Sequence, residues 1–150
     1  RRCALALAVQ PRLAGVKSLN RLENILARAE WCDPVIREGL LADGEGRLVE
    51  ATASNVFLGL DGKLVTPVLS RCGVAGAQRE RVLDLARAAS IPSEVRDVSF
   101  VELHRADEVF LTNSVIGLWP VAACGERRWE PGPMARRLHR LIEDDDANGS

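Results

Sequence analysis

Two Asp-Gly turns, each set between short apolar runs, constrain this chain more than any other feature. Gly39-Leu40-Leu41-Ala42 leads into Asp43-Gly44-Glu45-Gly46 and leaves through Arg47-Leu48-Val49-Glu50. Asn55-Val56-Phe57-Leu58-Gly59-Leu60 leads into Asp61-Gly62 and leaves through Lys63-Leu64-Val65-Thr66, which Pro67 ends. Asp and Gly tolerate the positive φ that tight hairpins require, and such turns join only antiparallel neighbours. The two hairpins are expected to run on as one antiparallel meander.

Around them the apolar period changes. Cys3 to Gln10 reads as a buried strand; it imitates a leader peptide, but the apolar stretch is short and no small-residue cleavage site follows. Asn20 is placed to cap a helix with the apolar stripe Leu22, Ile25, Leu26 and Ala29, with Glu23 completing a capping box and Asp33-Pro34 stopping it. A second helix is expected from near Gly76 through Val82, Leu83, Leu85, Ala86 and Ala89. Then come a strand over Ile91 to Val95, a helical piece over Val101 to Arg105, and strands over Glu108 to Thr112 and Leu118 to Ala122. A last helix spans Met134 to Ile142, and residues 144–150 are expected to fray as a solvated acidic tail. The fold class is α+β: an antiparallel sheet or pseudo-barrel with flanking helices.

Length and charge narrow the partners. One hundred and fifty residues fit a single domain spanning 1–150. A net charge of −1 leaves no electrostatic footprint for nucleic acid. No apolar run approaches the roughly 20 residues of a membrane span. Cys3, Cys32, Cys72 and Cys124 lie far apart, and His104 and His139 add no ligand spacing. Reduced, mainly buried cysteines, no metal and a cytoplasmic setting are expected.

Lys17 is one of only two lysines beside eighteen arginines. Lys63 sits in a turn, whereas Lys17 lies in the mostly apolar run Leu13-Ala14-Gly15-Val16-Lys17-Ser18-Leu19-Asn20. Arginine stays protonated, but an ammonium in apolar surroundings can lose its proton and attack an aldehyde. A snorkelling structural lysine fits the same run. Glu50, within Glu50-Ala51-Thr52-Ala53-Ser54-Asn55, is either a solvated hairpin residue or a strand-end carboxylate. Gly73-Val74-Ala75-Gly76-Ala77-Gln78 is either an ordinary helix entry or an anion cradle, with Asn113-Ser114 as further polar contacts. An amine, a carboxylate and an anion cradle are together what pyridoxal 5′-phosphate (PLP) requires.

The run Leu13 to Glu23 resembles the lysine motif of the fold-type IV PLP enzymes, in particular their aminodeoxychorismate lyase branch. Val49 to Phe57 resembles the same family's glutamate-to-asparagine signature. Leu64-Val65-Thr66-Pro67, Gly73-Val74-Ala75-Gly76, Ala106 to Ser114 and Trp119-Pro120-Val121 follow in its order. The resemblance covers nearly the whole chain and implies the large C-terminal domain of that family, whose N-terminal domain has no counterpart here.

By this resemblance Lys17 is the Schiff-base lysine and proton shuttle, and Glu50 pairs with the pyridine nitrogen. Val74 packs against the ring. Gly76, Ala77 (through its backbone) and Gln78 bind the phosphate, with Asn113 and Ser114 completing the cradle. Ala77-Gln78 stands where aminotransferases have Ile-Thr, which removes one hydroxyl. Arg21 follows a lyase-like Lys-x-x-Asn-Arg pattern; a first-turn helix arginine explains it equally well. The implied activity is a lyase that releases 4-aminobenzoate and pyruvate from a small-molecule amine, in a homodimer. A branched-chain or D-amino-acid aminotransferase, or a catalytically inert domain, are the alternatives.

Overall fold

The computed structural model describes residues 1–19 and 21–148. Strand β1 (Arg2–Leu7) is followed by helix α1 (Leu22–Arg28), and then by the first hairpin, β2 (Leu40–Asp43) and β3 (Arg47–Ala51). The second hairpin is β4 (Asn55–Leu60) and β5 (Lys63–Pro67), after which α2 (Ala77–Ala88) leads to β6 (Ser93–Arg96) and β7 (Val98–Ser99). Helix α3 (Phe100–Arg105), β8 (Glu108–Asn113) and β9 (Gly117–Pro120) follow. A small ribbon, β10 (Ala123–Cys124) with β11 (Arg127–Arg128), precedes α4 (Pro133–Asn148).

Both hairpins form, but they do not make one meander. The first belongs to a sheet of order β1-β2-β3-β7 and the second to a sheet of order β6-β5-β4-β8-β9. Pairing is mainly antiparallel, with parallel joins at β1–β2 and β5–β6, and neither sheet closes into a barrel. The reason lies in burial on both faces. Leu40, Leu48 and Ala51 of one sheet meet Val56, Leu58, Val109 and Leu111 of the other. The alternate residues Phe57, Leu64 and Phe110 face outward onto Val82, Leu83 and Ala86 of α2 and Leu138 and Ile142 of α4. On the far side, Cys3, Leu7, Leu41 and Val49 pack on Ala27 and Trp31. The layers therefore run α1, sheet, sheet, α2 with α4. Strands covered on both sides read as continuous apolar runs, so the pattern does not reveal which sheet each joins.

Several ends differ from the sequence expectation. Asn20 lies outside the described residues; Arg21 precedes α1 without a side-chain cap, and Glu23 instead accepts the Ala8 N–H at 2.9 Å. Helix α4 continues through the segment expected to fray, as far as Asn148. Arg81 holds it there, with Nε on Asp145 at 2.8 Å and Nη2 on Asp146 at 2.7 Å and on the Ile142 carbonyl at 3.1 Å. Residues 149–150 of that segment lie outside the described residues. Cys3, Cys72 and Cys124 are buried and Cys32 is exposed, all four as free thiols. Among the described residues no helix is long and apolar enough to cross a membrane, and no His/Cys/Asp/Glu group could hold a metal.

The first hairpin turn is fixed by Asp43, a carboxylate only 2 % exposed. Its oxygens accept from the Glu45 and Arg47 N–H groups at 3.0 Å and from Arg47 Nε at 2.8 Å. Burial pushes its pKa up, yet the hydrogen bonds from Arg47 and Glu45 outweigh that and hold it below the ordinary range. Asp43→Asn is expected to cost about 1–3 kcal/mol at neutral pH, read from urea midpoints. A carboxylate with a depressed folded pKa stabilises fully above its unfolded value of about 3.9 and loses that contribution as the pH falls through its folded pKa. The gap between wild type and variant should therefore narrow on acidification through this window.

Candidate active site

The chain crosses from one sheet to the other between β3 and β4, and the crossing leaves an open cleft of about 840 Å³. Ala51 N–H donates to the Ser54 carbonyl at 2.7 Å, so the turn folds back on itself as it changes sheets. Glu38 fixes the turn from the side. Its carboxylate takes the Thr52 hydroxyl, the Ser54 hydroxyl at 2.9 Å and the Ala53 N–H at 3.2 Å. All eight residues singled out in the sequence line this cleft: Lys17, Glu50, Val74, Gly76, Ala77, Gln78, Asn113 and Ser114.

The loop Gly73–Gly76 brings them together. Gly73 has φ +86°, and a Cβ there would lie 2.8 Å from Val49 Cγ1 and 2.9 Å from Leu69 Cδ2, so only glycine fits. The Val74 N–H donates to Glu50 Oε2 at 2.7 Å. The Val74 carbonyl accepts from Asn55 Nδ2 at 2.7 Å, and the Gly76 N–H donates to Asn55 Oδ1 at 3.1 Å. On the other side Gly15 bridges to Val74, its N–H donating to the Gly73 carbonyl and its carbonyl accepting from Ala75, both at 3.0 Å. Two residues on, this places Lys17 at the mouth. One loop thus docks the lysine segment, the carboxylate and the start of α2.

Lys17 itself is exposed, and its ammonium has no ion-pair or hydrogen-bond partner among the described residues. The apolar neighbours expected to enclose it point outward instead: Leu13 is 57 %, Val16 51 % and Leu19 105 % exposed. Glu50 is the opposite case, 3 % exposed. Burial raises its pKa, against the hydrogen bonds from Val74 and from Asn24 Nδ2 (3.3 Å to Oε1) and the positive charge of Arg21. The solvated-hairpin reading of Glu50 is thereby excluded.

Helix α2 starts at Ala77, with Gly76 as its N-cap and no side-chain cap. The first four N–H groups of a helix lack internal partners, and here the Gly76 N–H is already taken by Asn55. Gly76 therefore provides room rather than a donor; a Cβ there would lie 2.4 Å from Asn55 Oδ1. Asn113 is also committed. Nδ2 donates to Ser54 Oγ at 3.1 Å, while Oδ1 accepts from Val115 and Ile116 at 3.0 and 2.8 Å, so its side chain shapes the rim. Ser114 beside it is exposed.

The cleft includes residues that sequence reasoning did not assign: Asn24, Arg28, Arg37, Glu38, Asn55 and Thr112. Asn55 had a local signal, as the end of the run that begins at Glu50. Glu38 had none, because its partners are fourteen to sixteen residues away.

Residues 2–124 match the family model described as amino-transferase class IV. The chain is 36% identical over 140 residues to aminodeoxychorismate lyase of Vibrio harveyi, covering 91% of this chain and 52% of the relative. It is 41% identical over 133 residues to a Thermotoga maritima protein named "Probable branched-chain-amino-acid aminotransferase", covering 85% and 47%. The fold superposes on the crystal structure of 4-amino-4-deoxychorismate lyase from Pseudomonas aeruginosa with a TM-score of 0.93 and 51% identity, over 96% of this chain and 53% of that one. An aminotransferase from Brucella abortus bound to PLP is similar at a TM-score of 0.73 and 26% identity, over 81% and 44%. The chain spans about half the length of the relatives it matches.

The residues present fit PLP. The cleft has a buried carboxylate, a lysine at its mouth and open N–H groups at the start of α2. Of the buried side-chain atoms without a partner among the described residues, Gln78 Nε2 and Thr112 Oγ1 belong to residues that line it. In the unliganded chain the raised pKa of Glu50 fixes the sign of its effect on stability. A carboxyl that keeps its proton longer when folded stabilises below the unfolded value of about 4.3 and loses that contribution as the pH rises through the folded pKa. Glu50→Gln should accordingly gain on wild type in denaturation midpoint as the pH is raised through this window; a constant difference would contradict the assignment.

Proposed function

The chain belongs to the amino-transferase class IV family, and from that premise we propose that it carries the cofactor and the reacting groups of a PLP-dependent aminodeoxychorismate lyase. The reaction converts 4-amino-4-deoxychorismate to 4-aminobenzoate and pyruvate, a step of folate biosynthesis. The observation that carries the reading is the convergence of Lys17, Glu50 and the start of α2 on one cleft through the loop Gly73–Gly76. The sequence identity with the Pseudomonas lyase over nearly the whole chain favours the lyase within the family. In the whole protein, a cytoplasmic dimer is part of the same reading.

When bound, PLP supplies an aldehyde that condenses with primary amines and a ring that withdraws electrons from the carbon bearing that amine. The N–H groups of Ala77 and Gln78 would hold its phosphate, with the helix dipole behind them. Val74, which lines the cleft, would give the ring an apolar contact. Glu50 would pair with the ring nitrogen and keep a proton there; burial, which outweighs the charge of Arg21 and the two hydrogen bonds it accepts, makes its carboxylate basic enough to do so. Held by Val74 and Asn24, its oxygens cannot swing away. Lys17, anchored through Gly15 yet free at its ammonium, takes the proton from the amine-bearing carbon of the substrate. The ring of the substrate then becomes aromatic as its enolpyruvyl group departs.

The likeness to the Thermotoga protein supports a second reading, an aminotransferase using the same Lys17 and Glu50. Products separate the two. Incubation with 4-amino-4-deoxychorismate and PLP should release 4-aminobenzoate and pyruvate in equal amounts, whereas conversion of an amino acid to its 2-oxo acid without that release would replace the lyase by the aminotransferase. Lys17→Ala should lower turnover by a factor of about 10²–10⁴. Glu50→Ala should slow turnover with the cofactor still bound, and an undiminished rate would remove its role.

A further inference from the structure

The cofactor reading assigns the phosphate to the start of α2, but two side-chain atoms in the same cleft lack partners. Thr112 is 1 % exposed, and its Oγ1 is buried with no hydrogen bond; Gln78 Nε2 is buried in the same state. A buried polar atom left unpaired is costly, and in native proteins such atoms are few. Both residues line the cleft.

Their placement follows from the sheet. Phe110 stacks on Phe57 at 5.3 Å and packs against Val82 and Ala86 of α2. Side chains two apart on a strand share a face, so Thr112 projects to the α2 side. Gln78 lies one turn before Val82, at the open end of the same helix. Beside them stand the N–H groups of the first turn of α2. Gln78 Nε2 only donates, a helix N–H only donates, and the Thr112 hydroxyl can do so. An array of donors with no required acceptor suits a fully ionised phosphate ester, which offers acceptor oxygens alone.

We infer that Thr112 Oγ1 and Gln78 Nε2 form the floor of the phosphate site, completing what the N-terminus of α2 begins. This rests on the PLP reading above. It supplies the hydroxyl that the Ala77-Gln78 pair lacks, from β8 rather than from the helix. Thr112 is thus a ligand-facing residue, and its hydroxyl contributes nothing to the unliganded fold.

The test uses the full chain with PLP and with pyridoxal, which lacks the phosphate, measured by fluorescence titration. Thr112→Val keeps the shape and removes the hydroxyl. It should weaken PLP binding about tenfold, as loss of one bond to a charged group does, and leave pyridoxal binding unchanged. Thr112→Ser should restore PLP affinity to within about threefold of wild type. The unliganded denaturation midpoint of Thr112→Val should match or exceed that of wild type, since no bond is lost. Equal PLP affinity in wild type and Thr112→Val, an equal loss for pyridoxal, or a lowered unliganded midpoint would each overturn the inference while leaving the PLP reading intact. Failure of the wild-type chain to bind PLP at all would overturn both.

Discussion

The hydrogen bond from the Val74 N–H to Glu50 joins the end of β3 to the loop that starts α2, and the arrangement of the cleft depends on it. A buried carboxylate needs partners to be tolerated, and Glu50 finds them in one backbone N–H and one asparagine amide. The same loop residue presents its carbonyl to Asn55, at the head of the other sheet, and bridges to Gly15 on the lysine segment. The segment of Gly15, the crossing from Glu50 to Asn55 and the loop itself therefore meet at Val74. Gly73 makes this possible, since its positive φ and the contact a Cβ would make with Val49 leave no space for a side chain.

The crossing between the sheets explains why the site lies where it does. Strands β3 and β4 are consecutive yet belong to different sheets, and the link at residues 52–54 lies in no strand of either. Its polar groups are satisfied by Glu38, Asn113 and Asn24 instead. The result is a rim of fixed polar groups over a rigid base, which is the support a reacting constellation requires. Glu50 closes the strand on one side of this link and Asn55 opens the strand on the other.

Much of this was readable in the sequence, and the failures have physical causes. The Asp-Gly turns are local, so both hairpins and their bounds could be placed. Which sheet each joined was hidden, because both faces of β4 and β5 are buried and alternation is lost. The eight residues that line the cleft could be named because they sit in short runs that resemble the motifs of the family. Glu38 and Thr112 were missed because their surroundings are set by the fold and not by their neighbours in sequence. The apolar run around Lys17 was misjudged for a related reason: Leu13, Val16 and Leu19 are exposed in this chain, so an apolar sequence neighbourhood did not mean burial. The acidic tail resembled a solvated run, yet Arg81 on α2 orders it as helix.

The central claim is that the loop Gly73–Gly76 assembles a PLP site whose reacting amine is Lys17. The most direct measurement is borohydride reduction of the chain with PLP, followed by peptide mapping of the labelled residue. A single label on Lys17, within the peptide that contains Gly15, is the predicted result. A label confined to Lys63 or to the N-terminal amine, with Lys17 unmodified, would contradict it.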